Sequence, residues 1–319
     1  MSHPHYQLRP NKAVERFLFL ELLTHLDRNA GLNISKHIYH GFGGPFMEDF
    51  RILHLAFPEM GLRSIEREPE THKRQKFHSP CAKIKYFRKS SSEYLDTVFR
   101  PSKNGDIFWL DYTGRKPAYF REFQEVLGKV GKHSIVKITL NVRAFSEADR
   151  ELGEKKEKFR KDLGEYLPAD FRDADFRKGQ FPYLVVKMLK IASQGIFQAY
   201  PNLYFQILSA FVYADAEPIL TVAGVVLETK EEQDFLQKTR GWKYENLDWS
   251  KPITIEMPVL SIKERLALEK QLPCKRDSIN NLDLLLGYRI ASTQQETNNQ
   301  LLQYSEFYRF YPYFSKILV

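Results

Sequence analysis

The sequence predicts an α/β fold in which a mainly parallel sheet, flanked by helices, ends in an antiparallel hairpin. Three observations predict it. Residues 36–67 have the order strand, glycine turn, helix, strand and acid, which is the order of a nucleotide-binding βαβ unit. Strands and helices then keep alternating as far as Val142. Finally, two β-rich runs within residues 203–227 flank a short polar turn, which indicates a hairpin.

The βαβ unit contains the most informative pattern of the chain. A short apolar run at residues 37–39 precedes a glycine-rich turn at residues 41–45, and an amphipathic helix follows from Phe46 to Phe57. The next strand, at residues 62–65, ends at the acid Glu66. Glycines let backbone N–H groups approach a ligand closely, and an acid roughly 20 residues on can accept hydrogen bonds from ribose hydroxyls. The alternative is a glycine loop that only turns the chain.

The other elements follow in order along the chain. Helices are predicted at residues 11–29, 69–79, 90–99, 117–130 and 181–198, and strands at residues 82–87, 106–110 and 134–142. Residues 146–180 are charge-rich and too long for a simple connection, so we interpret them as an insertion. This insertion is either a lid or substrate-recognition element, or a solvated helical hairpin.

The C-terminal part of the chain differs in character from the α/β core. A strand-like segment at residues 252–257 precedes a capping box, Ser261 to Glu264, that begins a helix. A long helix is predicted from about Ser278, and an aromatic tail occupies residues 304–314. The predicted organisation is an N-terminal helical segment (1–35), an α/β core (36–230) that contains the insertion, and a mainly helical C-terminal appendage (231–319).

Composition narrows the function classes. The chain has 319 residues, a formal net charge of +8 and two cysteines, so a disulfide framework and a zinc cluster are disfavoured. The histidines at positions 40, 54, 72 and 78 match no standard metal-site spacing, and we expect no metal. No signal-peptide core is present and no apolar run approaches about 18 residues, so we expect no membrane span and a cytoplasmic location. The absence of G-x-S-x-G disfavours a serine hydrolase.

The run from about residue 7 to residue 227 resembles the class I S-adenosylmethionine (SAM) dependent methyltransferases, whose fold ends in such a hairpin. More narrowly, residues 9–23, the glycine turn, residues 64–68, 109–114 and 213–218 resemble a bacterial family of O-methyltransferases without a demonstrated substrate. The resemblance implies SAM as the cofactor and a Rossmann-like sheet with strand order 3-2-1-4-5-7-6. Right-handed crossovers would then place the carboxyl ends of the parallel strands at one edge.

The resemblance also implies a set of site residues. The family's first motif falls on His40 to Gly44, with His40 where the family has an acid; Glu66 matches the ribose-binding acid, and Ser92 lies where the adenine is contacted. Asp111 and Tyr112 match the motif beside the transferred methyl group. The implied cofactor-binding residues are His40, Gly41, Gly43, Gly44, Glu66, Ser92 and Asp111, and the implied catalytic residues are Asp111 and Tyr112.

The chemistry of the two catalytic candidates leaves alternatives open. Asp111 could accept a hydrogen bond from a substrate amine or hydroxyl and so orient its lone pair, since methyl transfer needs mainly proximity and orientation. Tyr112 could stack on a planar substrate. The alternatives are that Asp111 caps the next helix and that Tyr112 packs in the core.

Basic residues predict the class of substrate. Residues 71–89 contain seven Lys or Arg and no acid, so Lys73, Arg74 and Lys76 are predicted to bind phosphates, and a nucleic acid or nucleotide is favoured as substrate. The alternative is a solvated helix face. The aromatic tail could stack bases, or could dock on the core, on a second subunit or on a partner protein.

A second hypothesis comes from a different class of function. The chain would be a catalytically degenerate methyltransferase fold that serves as a nucleotide sensor or as a subunit of a larger assembly, for example in antiviral defence. His40 in place of the motif acid favours this hypothesis, whereas Glu66 and Asp111 favour the enzyme.

Overall fold

The computed structural model describes residues 9–146, 148, 150–274 and 285–312. Within this part of the chain, eight strands form one sheet. Their bounds are β1 (Ile38–Gly41), β2 (Gly61–Ile65), β3 (Lys85–Phe87), β4 (Asp106–Asp111), β5 (Ile135–Asn141), β6 (Leu203–Ala214), β7 (Pro218–Glu228) and β8 (Ile253–Ile255). The strand order is β3-β2-β1-β4-β5-β7-β6-β8. The predicted order of the first seven strands is confirmed, and the strand-like segment at residues 252–257 supplies the short eighth strand.

The first five strands run parallel to one another. β1 pairs in parallel with β2 and with β4, β2 pairs with β3, and β4 pairs with β5. β7 pairs with β5 in the antiparallel direction, as predicted for the hairpin. Because parallel strands end at the same edge, the chain leaves the sheet at one edge after Gly41, Ile65 and Asp111. That edge is where an open α/β sheet holds its ligands.

Helices connect the strands and carry the start signals that the sequence contains. Proline occupies the first turn of four of them, and Ser90 with Glu93 forms a complete capping box at the start of another. Their bounds are α1 (Pro10–His25), α2 (Glu48–Ala56), α3 (Pro69–Phe77), α4 (Ser91–Thr97), α5 (Pro117–Lys129), α6 (Leu152–Leu163), α7 (Phe181–Phe197), α8 (Glu232–Thr239), α9 (Ile262–Glu269) and α10 (Gln294–Phe307). A π-helical turn, Leu26–Ala30, continues α1 as far as Gly31, which has φ 67°.

One strand begins later than predicted: β3 begins at Lys85 rather than at residue 82. The start of the long C-terminal helix, predicted at about Ser278, lies outside the described residues. Within them, residues 285 and 286 are helical, Gly287 has φ 73°, and α10 begins at Gln294, where Thr293 and Glu296 form a capping box.

One large apolar core lies on the side of the sheet that α5 and α7 cover. Its members include Phe120, Phe123, Val136, Ile138 and Leu189, all at most 1% exposed. α5 and α7 bury an almost continuous apolar face here, which is expected for helices that pack on the buried strands of a parallel sheet.

The insertion is anchored to this core by aromatic packing. α6 buries Phe159 and Leu163, so one face of this charge-rich helix is not solvated. The Phe159 ring makes edge contacts with Phe145, Phe176 and Phe181, with ring centroids 5.4–5.8 Å apart. Edge-to-face pairs of this kind add about 0.5–1.5 kcal/mol each to the stability that burial provides.

The contacts divide the chain into two compact units. The larger contains Leu20–Val212 and Glu217–Ile253, and the smaller contains Met1–Phe19, Tyr213–Ala216 and Thr254–Val319. All the site residues that the sequence predicts belong to the larger unit.

Within the smaller unit, one asparagine joins three segments of the chain. The Asn11 side-chain nitrogen donates to the Ala214 carbonyl (2.9 Å) and to Asp215 (3.1 Å), and its oxygen accepts from the Met257 N–H (2.7 Å). The aromatic tail also packs inside this unit, since Tyr304 and Phe307 are fully buried and the Arg265 guanidinium lies 4.2 Å from the Tyr311 ring centroid.

A buried polar network links three strands to α4. The His40 ring of β1 is fully buried, and its Nε2 lies 2.9 Å from an Asp106 carboxylate oxygen on β4 while its Nδ1 lies 2.9 Å from the Tyr94 hydroxyl on α4. Arg63 of β2 donates to the same hydroxyl (3.3 Å). The imidazole also stacks on Phe108, with ring centroids 4.3 Å apart.

The network defines the protonation of His40. Burial lowers the pKa of His40, although the hydrogen bond with Asp106 acts in the opposite direction, so the ring is neutral. Since the Tyr94 hydroxyl accepts from Arg63, it donates to His40 Nδ1, and His40 Nε2–H donates to Asp106. The second Asp106 oxygen accepts from the Ser102 N–H (2.8 Å). Each buried group therefore has a partner.

A first prediction concerns close packing between β7 and its neighbour. Gly224 lies opposite Val136, and a Cβ there would be 2.4 Å from the Phe205 ring and 2.5 Å from the Gln206 carbonyl oxygen. Gly224→Ala should therefore lower the free energy of unfolding by about 1–3 kcal/mol, measured by urea denaturation.

The matched control for this variant is Gly128→Ala in α5, where nothing lies within 4 Å of the added Cβ. It should raise stability by about 0.5–1 kcal/mol, because glycine loses more conformational freedom than alanine on folding. Equal effects of the two changes would contradict the packing argument.

A second prediction concerns the buried histidine. His40→Asp places a carboxylate beside Asp106 in the core and should cost about 3–5 kcal/mol of unfolding free energy. Asparagine has the same shape as aspartate but no charge, so His40→Asn should be less destabilising than His40→Asp at neutral pH. The difference between the two variants should shrink as the pH falls and the added carboxyl is protonated.

In the wild type, the stability that His40 contributes should fall as the pH falls, which is opposite to the change expected for His40→Asp. The folded-state pKa of His40 lies below its usual value of 6.5, so below about pH 6.5 the unfolded chain binds a proton that the folded chain does not. Stability contributed by His40 is present above that pH and is lost as the pH falls, a loss that His40→Asn should not show. Chemical denaturation over a pH series measures both effects, and equal pH slopes would contradict a buried neutral His40.

Candidate functional site

The glycine turn after β1 adopts backbone conformations that favour glycine. Gly43 has φ 68° and Gly44 has φ 53°, both in the left-handed region. At Gly41 a Cβ would lie 2.4 Å from the Tyr39 hydroxyl, so no larger residue fits there without a shift of that ring. The three glycines of the first motif thus form a tight turn at the carboxyl edge of the sheet, as a ligand-binding turn requires.

Gln75 of α3 holds this turn in place. Its Nε2 donates to the Phe42 carbonyl (2.6 Å), which also accepts from the Gly44 N–H (2.8 Å). Its Oε1 accepts from the Ser64 hydroxyl of β2 (2.8 Å), and the residue is fully buried. Gln75 therefore couples the turn after β1 to the strand that ends at Glu66. Gln75 is not predicted from the sequence, because a glutamine within a polar helix carries no local signal.

Glu66 lies at the same edge, directly after β2. It is half-buried, and its Oε1 accepts from the Glu68 N–H (2.7 Å). Burial raises the pKa of the Glu66 carboxyl. Ser92 lies in the first turn of α4 and is exposed, whereas the neighbouring Ser91 lies close enough to the Tyr112 hydroxyl to act on its pKa.

Asp111 ends β4, and Tyr112, which follows it, lies next to the glycine turn. Asp111 is half-buried at the edge of the sheet. The Tyr112 ring is 8% exposed, stacks on Tyr119 with ring centroids 4.0 Å apart, and meets the Phe42 ring edge-on at 5.6 Å. Burial, followed by the nearby Glu122 carboxylate, raises the pKa of the Tyr112 phenol, so this hydroxyl stays protonated. Tyr112 thus joins the turn after β1 to the turn after β4.

The structure does not bring all the predicted residues together. Gly41, Gly43, Gly44, Glu66, Asp111 and Tyr112 surround one edge, and Ser92 lies at the start of the helix that follows β3. The His40 side chain is not part of this group, because its ring is enclosed in the core with both nitrogens paired. It points away from the side of β1 on which Tyr39 and Gly41 lie, since successive side chains of a strand face opposite sides.

The predicted phosphate-binding residues lie on the outer face of α3. Lys73, Arg74 and Lys76 are exposed, and the Lys73 amine pairs with Glu70 (2.7 Å). The Arg74 guanidinium lies 5.1 Å from the Phe46 ring centroid, beside the glycine turn. Phe77, which the sequence analysis did not single out, is 85% exposed on the same helix. We call Lys73, Arg74, Lys76 and Phe77 the α3 face.

Among the described residues, no group of three or more His, Cys, Asp or Glu side chains could hold a metal ion. Likewise, no helix there is long and apolar enough to cross a membrane.

Comparison with known proteins identifies a family. The family model described as "Putative O-methyltransferase" matches residues 4–319. No curated protein sequence matches the chain.

Several solved structures are similar at low identity. The apo SAM-dependent methyltransferase SibL is 11% identical, with 64% of this chain and 54% of SibL covered and a TM-score of 0.35. TYW2 of P. horikoshii in complex with MeSAdo is 12% identical, with 64% and 62% covered and a TM-score of 0.36. The plantazolicin methyltransferase BamL, in complex with a triazolic desmethylPZN analog and SAH, is 10% identical, with 69% and 85% covered and a TM-score of 0.40. The matched region thus spans less than two thirds of the length of SibL and of TYW2.

The family match extends over almost the whole chain, and the sheet has the strand order of the class I fold. Both support SAM as the cofactor. The chain therefore belongs to the O-methyltransferase family that this model describes, within the class I SAM-dependent methyltransferases.

Proposed function

We propose that this protein is a SAM-dependent O-methyltransferase whose substrate is a nucleic acid. The proposal rests on one observation, which is that the helix bearing the α3 face contacts the glycine turn. Gln75 bonds the turn at Phe42, and Arg74 lies over Phe46 at the end of the same turn. One helix, α3, therefore holds the candidate cofactor-binding turn in place and carries the candidate phosphate-binding surface.

The residues present fit the cofactor. The tight Gly41–Gly44 turn lets backbone approach the ligand, and Glu66, one residue beyond β2, would accept hydrogen bonds from the two ribose hydroxyls. Asp111 and the start of α4 at Ser92 would complete the cofactor-binding edge. When bound, the cofactor supplies a methyl group that is already activated as a sulfonium, so the protein needs mainly to orient the acceptor.

Asp111 is the residue proposed to hold the acceptor. An acceptor hydroxyl must give up its proton on methylation, and a carboxylate within hydrogen-bond distance both orients the hydroxyl and takes the proton. Asp111 is the acid at the carboxyl end of β4, at the edge where Glu66 and the glycine turn also lie. Tyr112 has a packing role in this proposal, since Tyr119 and Phe42 already occupy its ring.

The α3 face supports a nucleic acid as substrate. Three exposed cations and one exposed aromatic ring on the same helix combine the two contacts that single-stranded nucleic acids use, which are phosphate neutralisation and base stacking. Only Lys73 of the three has a carboxylate partner within 4 Å in the described part of the chain, and that pair is exposed, so its contribution to stability is small.

We favour the enzyme over the degenerate hypothesis. The degenerate hypothesis depended on His40 at a motif position, and the hydrogen bonds of His40 to Asp106 and Tyr94 explain this residue by its role in the core. Calorimetric titration with SAM tests the proposal directly. If the protein does not bind SAM at millimolar concentration, the proposal is wrong and the degenerate hypothesis replaces it.

A third prediction concerns Glu66 and the cofactor. Glu66→Ala removes charge-assisted hydrogen bonds worth roughly 1.5–3 kcal/mol each, so SAM affinity should fall about tenfold or more, measured by calorimetry. Because the carboxylate must be ionised to accept from ribose and burial raises its pKa, wild-type affinity should fall as the pH drops through a value above the usual 4.5.

The controls separate the charge from its position. Glu66→Gln should bind weakly at every pH without this titration, whereas Glu70→Gln, an exposed change in the first turn of α3, should leave SAM affinity unchanged. A Glu66→Gln variant with the affinity and pH profile of the wild type would exclude a ribose contact at Glu66.

A fourth prediction concerns the α3 face. Reversal of Lys73, Arg74 and Lys76 to Glu should abolish binding of single-stranded RNA or DNA, measured by filter binding, and should leave SAM affinity intact. The salt dependence of wild-type binding should be steep, with a log–log slope of about 0.7 per phosphate contacted. Phe77→Ala should weaken binding by about 1–3 kcal/mol without altering that slope, because stacking is not ionic.

The matched control reverses Lys36, Lys103 and Lys251, which are also exposed. Lys36 and Lys103 precede β1 and β4, so they lie at the opposite edge of the sheet. The same change in net charge there should reduce affinity only slightly. Equal losses in the two triple variants would mean that net charge, rather than the α3 face, binds the nucleic acid.

A further inference from the structure

A cavity in the insertion lies beside the loop that follows Asp111. It has a volume of about 410 Å³. Its apolar lining is Phe145, Leu152, Ala174 and Phe176, and its charged lining is Lys156, Asp173, Arg177 and Lys178. Three cations and one acid thus surround an aromatic floor.

The charges in this cavity are not balanced. Asp173 pairs with Lys156 (3.4 Å) and with Arg160. Arg177 and Lys178 are exposed, and neither has a carboxylate within 4 Å in the described part of the chain. The cavity therefore has an excess of positive charge that an anionic ligand would neutralise.

Arg115 connects the cavity to the candidate methyl-transfer edge. It follows Asp111 by four residues, and its guanidinium lies 5.0 Å from the Phe145 ring centroid and 4.9 Å from that of Phe181. It donates to the Arg143 carbonyl, and no carboxylate of the described residues lies within 4 Å of it. Burial, and then the nearby Arg143 charge, lowers the pKa of Arg115. Arg115 is half-buried, so an anionic ligand beside it would supply the counter-charge that its partly desolvated guanidinium lacks.

The cavity and the α3 face lie on opposite sides of the candidate site. α3 contacts the turn after β1 and connects β2 to β3, whereas the insertion follows β5 and contacts the loop after β4. Three strand steps separate β2 from β5, which is about 14 Å at 4.7–4.9 Å per step. One nucleotide cannot contact both surfaces, but a strand of several nucleotides can.

We propose that the insertion cavity binds a nucleotide unit of a single-stranded polynucleotide whose neighbouring units bind the α3 face, so that the substrate is a polymer and not a mononucleotide. This proposal rests on the proposed function. The base would lie against Phe145, which is the less buried of the two aromatic rings in the lining, and the phosphates would lie beside Arg177, Lys178 and Arg115. The insertion is then the element that selects substrates by length.

The test compares two charge-matched double variants with single-stranded RNA of increasing length. Wild-type affinity should rise with length until both surfaces are spanned. Arg177→Glu with Lys178→Glu should weaken binding of the long RNA about tenfold or more and lower the salt slope by about 0.7 per lost phosphate contact, while affinity for a mononucleotide stays unchanged. Lys158→Glu with Lys161→Glu changes the same number of exposed charges on α6, outside the cavity, and should have little effect.

A second variant supplies a readout that does not depend on charge. Phe145→Leu should weaken binding of the long RNA without altering the salt slope, because it removes a stacking surface and no cation. Thermal unfolding of each variant shows that it is folded.

The outcomes separate this inference from the function on which it rests. If the wild type binds RNA and the α3 reversal abolishes binding, but the two double variants behave alike, the insertion site is wrong and the proposed function stands. If the wild type binds RNA of no length, the substrate assignment and the insertion site both fail. If the wild type binds a mononucleotide as tightly as the long RNA, the polymer inference is overturned.

Discussion

The hydrogen bond between His40 and Asp106 is the contact on which the arrangement of the site depends. It joins β1 to β4 beneath the sheet edge, and through Tyr94 and Arg63 it also joins α4 and β2. These are the strands whose carboxyl ends carry the glycine turn, Glu66 and Asp111. Hydrophobic burial alone would hold the strands together without fixing their relative positions, since it is not directional. Hydrogen bonds among buried groups have a direction and a length, so they fix them.

The free-energy cost of burying polar groups explains why His40 is neutral and why each group of the network is hydrogen-bonded. A charged imidazole that is buried away from water would have a high free energy, and burial keeps the His40 ring neutral. The Asp106 carboxylate accepts hydrogen bonds from two donors, the His40 ring and the Ser102 N–H. Parallel strands β1 and β4 place His40 and Phe108 side by side, and the two rings stack. The residue type at position 40, directly before the glycine turn, is therefore determined by packing and hydrogen bonding in the core. It does not indicate which ligand the turn binds.

Much of the fold could be predicted from local patterns, because glycine, proline and capping residues act within a few positions of themselves. Gly43 and Gly44 indicated the turn, Ser90 and Glu93 indicated the start of α4, and the turn at residues 214–218 between two β-rich runs indicated the hairpin. The strand order came from the resemblance. His40 could not be assigned correctly to the core from sequence, because its partners lie 54 and 66 residues away and β1 is only four residues long. So short a strand does not show which side chains face a ligand.

The orientation of α3 was beyond sequence analysis for a different physical reason. Most helices reveal their buried face by an apolar stripe, but the buried residues of α3 are His72 and Gln75, both polar. The attachment of this helix therefore depends on the two hydrogen bonds of Gln75, to Phe42 and Ser64, more than on apolar burial. Because those bonds fix the rotation of the helix about its axis, they also set the direction in which Lys73, Arg74 and Lys76 point. A residue that binds neither cofactor nor substrate thus determines where the cations lie relative to the glycine turn.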